Sequence, residues 1–143
     1  KSTLENDLIQ SRIEDYHLGI KLVRGAYFHT EKDQGHLFTE KKFTDESYNK
    51  GILTIGENNF NTYTLLATHN IDSIRLGYKY NQYAKRSIFE FAHLMGMQEE
   101  NYQDLADRGD KVNVYIPYGP YTQMIPYLTR RMYENTDMLK YMK

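Results

Sequence analysis

Cysteine and tryptophan are both absent from the sequence. Without cysteine, the chain forms no disulfide and offers no thiolate ligand to zinc. Basic and acidic side chains number 18 and 19, which leaves a net charge of −1. This balance gives no long-range attraction to nucleic acid or to an anionic membrane surface, so we expect no nucleic-acid partner.

Long apolar runs are missing as well. No stretch approaches the ~20 apolar residues that a membrane-spanning helix needs. The first residues, Lys1 to Glu5, are mostly polar and do not resemble a targeting signal. A closed eight-stranded α/β barrel takes ~250 residues, whereas this chain has 143. We therefore expect residues 1–143 to be part of one domain of a longer protein.

Apolar periodicity predicts one opening helix followed by four strand–helix units. The predicted strands are 20–23, 64–68, 88–94 and 112–116, and the predicted helices are 4–16, 44–59, 71–84, 101–107 and a last one within 124–142. Thr44 is a candidate N-cap of the second helix, after a long polar loop at 28–43. The alternation indicates an α/β fold whose strands are parallel and joined by right-handed crossovers.

A polar or glycine-containing segment ends each predicted strand. These segments are 24–27, 68–70, 94–97 and 115–119. In α/β proteins ligands bind at the carboxyl ends of parallel strands. The coincidence therefore predicts a ligand site at that edge of the sheet.

Two cations belong to the first strand region. Lys21 lies in an apolar strand, where a charge is costly unless it meets a partner or a ligand. Alternation places Lys21 and Val23 on one face and Leu22 and Arg24 on the other. A purely structural alternative is that both cations reach solvent along the sheet edge. Gly25, which follows Arg24, would let backbone amides approach a ligand.

Thr68, His69 and Asn70 follow the second strand, and each can donate a hydrogen bond. The alternative is turn chemistry, with Asn70 or Asp72 capping the next helix. His93 lies in an apolar run and is interpreted as a buried structural histidine. No histidine pair has HExxH spacing, so no metal site is predicted.

Arg130 and Arg131 are adjacent on the last helix, with Glu134 close enough to bind either. Two guanidinium groups can grip a small carboxylate. The alternative is an exposed ion pair of little energetic value. Motifs of serine hydrolases, P-loop proteins and dinucleotide-binding domains are absent. The residues alone thus indicate an α/β domain with a site for an anionic ligand.

Six segments in order resemble the proline dehydrogenase family. They are 19–27, 44–49, 67–70, 91–97, 115–120 and 127–135, so the resemblance covers most of the chain. It is with the C-terminal half of the catalytic barrel, and the stand-alone eukaryotic type is more similar than the bifunctional bacterial type. It implies strands five to eight of a distorted (βα)8 TIM barrel with their helices.

The resemblance also implies a role for each matched position. Lys21 would be the catalytic cation beside the flavin N5. The FAD-binding positions would be Arg24, Gly25, Ala26, Tyr27, Thr68, His69, Asn70 and Glu134. The substrate-binding positions would be Tyr115 on the proline ring, Leu94 as an apolar wall, and Arg130 and Arg131 on the carboxylate. One departure is His93, which stands where the family often has glutamine.

The implied reaction is FAD-dependent oxidation of L-proline to Δ1-pyrroline-5-carboxylate, with hydride transfer to flavin N5 and electrons passed to a quinone. Peripheral membrane association would follow from the quinone partner. The location would be the mitochondrial matrix or inner membrane in a eukaryote, and the cytoplasm or inner membrane in a bacterium. Hydroxyproline oxidation and a non-catalytic binding role stay open as alternatives. The missing N-terminal half of the barrel would carry an acid and a lysine for the substrate, so we expect this chain alone to be inactive.

Overall fold

The computed structural model describes residues 3–25, 38 and 40–134, and of residues 130–134 it describes the backbone alone. Helices and strands alternate along the chain as the sequence predicts. The helices are α1 (Thr3–Ile13), α2 (Lys41–Glu57), α3 (Ile71–Ala84), α4 (Glu99–Asp107) and α5 (Tyr121–Glu134). The strands are β1 (Leu18–Val23), β2 (Thr62–Ala67), β3 (Phe89–Leu94) and β4 (Val112–Tyr115).

The four strands form one parallel sheet in the order β1-β2-β3-β4. Sequence neighbours are thus also neighbours in space, which confirms the predicted series of strand–helix units. The register pairs Val23 with Ala67, Ala67 with Ala92, and Leu94 with Tyr115. All four carboxyl ends therefore meet at the same edge of the sheet.

One face of the sheet is covered by helices and contains the core. Its members share near-complete burial: Tyr48, Ile52 and Ile55 of α2, Leu66 of β2, Ile74 of α3, Phe89 and Phe91 of β3, and Tyr102 and Leu105 of α4. Gly77 allows α3 to approach closely, because a Cβ at this position would lie 2.5 Å from a methyl carbon of Leu66. The packing explains a glycine that helix propensity alone disfavours.

The other face of the sheet, called the open face below, carries the alternate side chains. Lys21, Val23, Tyr63 and Tyr115 are exposed there. Lys21 and Val23 thus share a face, as predicted from strand alternation. None of the helices in the described part of the chain is both long and apolar enough to cross a membrane.

Helix boundaries match the predictions unevenly. The third helix begins and ends as predicted, and Asn70 is its N-cap: its side chain accepts hydrogen bonds from the amides of Asp72 and Ser73. The prediction that Thr44 caps the second helix is wrong, since α2 begins at Lys41 after an extended Glu40. An ion pair between Lys42 and Glu46, four residues apart, favours this longer helix.

The last helix begins at Tyr121, before its predicted start, and contains Pro126. Pro126 is the sixth residue of this helix, and it has no N–H to donate to the carbonyl oxygen four residues earlier. Residues 135–143, over which the helix was expected to continue, lie outside the described residues. So does most of the predicted loop at 28–43, whose end, Lys41 to Phe43, is helical.

Candidate functional site

The site predicted at the carboxyl ends of the strands brings two of its residues into contact on the open face. The ammonium of Lys21 lies 5.7 Å from the centroid of the Tyr115 ring, within the range of a cation–π interaction. Lys21 belongs to β1 and Tyr115 to β4, strands that are three spacings apart, or ~14 Å in a flat sheet. The contact therefore requires a curved sheet whose open face is concave.

Leu94 lines the same face beside Tyr115, because the two residues are partners in the β3–β4 register. Its side chain is half-buried. One concave surface therefore carries three predicted site residues. They are Lys21 as the cation beside the cofactor, Tyr115 as the side chain that packs on the substrate, and Leu94 as the apolar wall. A ligand lying there would meet a positive charge and two apolar groups.

The turn after β2 is fixed by hydrogen bonds to its three side chains. The hydroxyl of Thr68 accepts from the amide of Asn70 at 3.1 Å, and Asn70 caps α3. His69 Nε2 accepts from the amide of Leu94 at 3.2 Å. Within the described part of the chain, His69 Nδ1 and the Asn70 side-chain amide nitrogen have no partner, so they remain available to a ligand.

The hydrogen bond from the Leu94 amide indicates which ring nitrogen of His69 carries the proton. Because Nε2 accepts, the neutral ring carries its proton on Nδ1. Burial, followed by the nearby charge of His93, lowers the pKa of His69 from 6.5 to about 4. His69 therefore offers a neutral N–H donor at the edge of the sheet across the physiological pH range.

Tyr102 and His93 support this turn from the covered side of the sheet. Their rings stack with centroids 4.2 Å apart, and the Tyr102 hydroxyl hydrogen-bonds to the carbonyl oxygens of Thr68 and Ala92. His93 is buried and its Nδ1 lies 3.0 Å from the carbonyl oxygen of Met97, which confirms the structural interpretation of this histidine. The neighbouring position that faces the open side is Ala92, so His93 is not placed to replace an open-face glutamine.

Arg24 lies on the covered side, opposite Lys21. Its guanidinium binds Thr68, Ser73 and Asp45, and its side chain is 18% exposed. Burial lowers the pKa of Arg24, while the neighbouring Tyr48 and Asp72 raise it. The Arg24 side chain is thus engaged within the protein, which leaves the backbone of Arg24 to line a cofactor.

The rest of the predicted first turn is described in part. Gly25 has a positive φ of 86°, and no atom lies within 4 Å of where a Cβ would be, so the backbone is open to a ligand. Ala26 and Tyr27 lie outside the described residues. The side chains of Arg130, Arg131 and Glu134 are also outside them, although α5 includes all three. Whether the arginine pair faces Lys21 stays a prediction.

Comparison with known proteins decides the family. The model of the proline dehydrogenase family matches residues 1–143, the whole chain. The chain belongs to the proline dehydrogenase family. It is 35% identical to mitochondrial proline dehydrogenase 1 of Dictyostelium discoideum over 93% of its length, and 31% identical to the mitochondrial proline dehydrogenase 1 of Caenorhabditis elegans over 98%.

Solved structures give the same fold. Proline utilization A from Bdellovibrio bacteriovorus, inactivated by N-propargylglycine, superimposes with a TM-score of 0.84 at 24% identity. The match covers 93% of this chain and 15% of that protein. The chain also covers only 26% of each of the two eukaryotic relatives. The chain thus spans about a quarter of the length of these eukaryotic relatives.

A polar cluster on the open face was not predicted from the sequence. The Glu90 carboxylate binds three donors: the hydroxyl of Tyr63 at 2.7 Å, the ammonium of Lys111 at 2.9 Å and the side-chain amide of Asn113 at 3.2 Å. Burial would raise the pKa of Glu90, but these hydrogen bonds together lower it. A glutamate within the apolar run 88–94 was the available signal, because a charge in such a strand needs partners.

Glu90 lies at the level of Lys21 in the sheet, since both are register partners of Leu65, and the cluster extends from there toward the amino ends of the strands. In α/β barrels that end contributes stability rather than chemistry. A cavity of about 620 Å³ is found at the same end of the sheet, lined by residues that include Arg12, Phe60 and Arg86. The cavity is therefore remote from Tyr115, whereas the Glu90 cluster adjoins the candidate site, because its member Asn113 is two residues from Tyr115 on the same face. The residues at the carboxyl ends of the strands remain the candidate site.

Proposed function

We propose that the protein containing this chain oxidises L-proline to Δ1-pyrroline-5-carboxylate with FAD as the cofactor. The observation that carries the proposal is the convergence of Lys21 and Tyr115 on one concave surface. These are the positions at which the family places the cofactor-side cation and the residue on the proline ring. Membership of the family supports the same reaction.

The chain would supply strands five to eight of a (βα)8 barrel. Two features support this part of the proposal: among the described residues no strand pairs with the outer edge of β1 or of β4, and the concave face carries exposed Val23 and Tyr63. A sheet with open edges and an uncovered face is prone to associate with other strands. The N-terminal half of the barrel, absent from these residues, would pair with both edges.

The residues at the strand ends fit a flavin. The isoalloxazine ring presents carbonyl oxygens and ring nitrogens along one edge, and these accept hydrogen bonds. His69 Nδ1, the Asn70 amide and the open backbone at Gly25 are donors of the kind that this edge needs. FAD, when bound, would supply the two-electron acceptor that the oxidation of the C–N bond requires.

The chain's own residues would orient the substrate and place charge. The Lys21 ammonium would stabilise negative charge that develops beside it. The Tyr115 ring and Leu94 would pack on the apolar carbons of the proline ring, while Arg130 and Arg131 would bind its carboxylate. Holding the ring in one orientation lowers the entropic part of the barrier. The proline nitrogen must be neutral before its C–H bond can be oxidised.

The electron acceptor and the location follow from the same proposal. Relatives named as mitochondrial support a mitochondrial site if the source is eukaryotic. A quinone acceptor would require peripheral contact with the inner membrane. The bulky Tyr115 favours proline over hydroxyproline, since a hydroxyl on the substrate ring would need room beside it.

The test uses the full-length protein and a proline-to-dye assay with a flavin absorbance spectrum. We expect bound flavin and proline oxidation, and we expect Lys21→Met to lower kcat by about 10²-fold, as loss of one charge-stabilising group does. Arg75→Met is the matched control, because Arg75 is 70% exposed on α3. A full-length protein that binds no flavin would favour the non-catalytic alternative. Faster turnover of hydroxyproline than of proline would favour the second substrate.

A further inference from the structure

Arg24 joins four elements beneath the predicted cofactor turns. Its Nε donates to the Thr68 hydroxyl at 2.8 Å and its Nη2 donates to the Ser73 hydroxyl at 2.5 Å. Its Nη1 forms an ion pair with Asp45 of α2, and its guanidinium carbon lies 4.7 Å from the centroid of the Tyr48 ring. One side chain after β1 therefore contacts the turn after β2 and the amino-terminal parts of α2 and α3.

The partners of Arg24 are themselves fixed. Thr68 is 4% exposed and Ser73 is fully buried. The Ser73 hydroxyl donates its hydrogen to Asn49 at 2.6 Å, and its oxygen accepts from Arg24. The Thr68 hydroxyl also accepts from the Asn70 amide. The guanidinium is thus placed by groups that have few alternative positions.

From this arrangement we infer that Arg24 is a positioning residue, which holds His69 in place through Thr68 rather than by contacting a cofactor. The inference rests on the proposed function and replaces the direct cofactor contact that the resemblance implies for this side chain. Since Thr68 immediately precedes His69, a shift of Thr68 moves the His69 ring and its Nδ1 donor. Lysine could keep the pairing with Asp45 but could not bind Thr68 and Ser73 together, because only arginine has a planar fork of donors.

A double-mutant cycle on FAD affinity distinguishes the two roles. In the full-length protein, Arg24→Met and Thr68→Val should each raise the Kd for FAD by about tenfold, the loss expected for one charge-assisted hydrogen bond. If Arg24 acts through Thr68, the double variant should be little worse than either single variant. If the two increases in the Kd for FAD multiply in the double variant, Arg24 has its own contact with FAD. That result would overturn the inference. Arg24→Lys should recover only part of the affinity.

Hydrogen exchange provides a readout that does not depend on FAD. The amides of Asn70, Asp72 and Ser73 are all bonded within the turn, so Arg24→Met should speed their exchange by about tenfold in the flavin-free protein. Arg75→Met, on the exposed side of the same helix, should leave it unchanged. Unchanged exchange in Arg24→Met would overturn the inference even if the wild-type protein bound no flavin. Absence of flavin from the wild type, with faster exchange in the variant, would contradict the proposed function alone.

Discussion

The two faces of the sheet are built differently. On the covered face, Leu66, Phe89 and Phe91 are fully buried by helices of the same chain. On the open face, Val23, Tyr63 and Tyr115 are each more than half exposed, and the charged residues Lys21 and Glu90 are found there. The chain thus buries a hydrophobic core on one face, whereas the predicted site residues Lys21 and Tyr115 lie on the exposed face.

The largest expected effect on stability comes from removing a large side chain from the core on the covered face. Phe91→Ala in the full-length protein should lower the free energy of unfolding by ~3–5 kcal/mol, the usual loss for a fully buried phenylalanine. Val23→Ala on the open face is the comparison. A loss below ~1 kcal/mol at Val23 is expected if this face stays exposed, and ~2 kcal/mol if another half of the barrel covers it. Denaturant unfolding measures both, and a loss under ~1 kcal/mol at Phe91 would contradict the described core.

Much of this division could be predicted from the sequence, because it depends on local periodicity. The alternation of side chains in β1 correctly places Lys21 and Arg24 on opposite faces of the sheet. Asn70 is one of two candidate caps on the sequence alone, and the burial of His93 is also predicted. The Glu90 cluster could not be predicted, because its partners come from β2 and β4 and the strand register is set by tertiary packing. The bridging hydroxyl of Tyr102 depends on the same long-range packing.

The failures of prediction have physical causes too. Thr44 is a good capping residue, but no helix breaker separates it from Lys41, and the helix continues through it. The contacts of Arg24 could not be predicted either, whereas its role in binding FAD stays a prediction. Its side chain binds Asp45 and Thr68, partners that are 21 and 44 residues away in the chain. Local sequence patterns do not indicate contacts between residues so far apart in the chain.

The second prediction concerns the turn after β2, which contains His69. Its contribution to the free energy of unfolding should depend on pH. The pKa of His69 is lowered to about 4 in the folded protein, so between pH 4 and 6.5 the unfolded chain binds more protons there than the folded one. The folded state is therefore destabilised as the pH falls below 6.5, by up to ~2 kcal/mol at pH 5. His69→Gln should remove this part of the acid sensitivity.

Urea unfolding of the full-length protein at pH 7.5 and pH 5 measures the difference. His17→Gln is the matched control, because His17 is an exposed histidine before β1 and its replacement should leave the pH dependence as it is in the wild type. If His69→Gln and the wild type lose the same stability between the two pH values, the ring is not held neutral by burial.

The smallest expected effect tests whether the open face contributes stability of its own. Glu90→Gln keeps an acceptor for Tyr63 and Asn113 but removes the charge that binds Lys111, so we expect a loss of ~1 kcal/mol. Glu46→Gln is the control, because the Lys42–Glu46 pair is exposed on both sides and should be worth less than ~0.5 kcal/mol. The pKa of Glu90 is lowered in the folded protein, so its contribution should disappear as the pH falls through that lowered pKa. Equal losses in the two variants would mean that the Glu90 cluster behaves as ordinary solvated surface, whereas a loss above ~3 kcal/mol would indicate that a second layer buries the carboxylate.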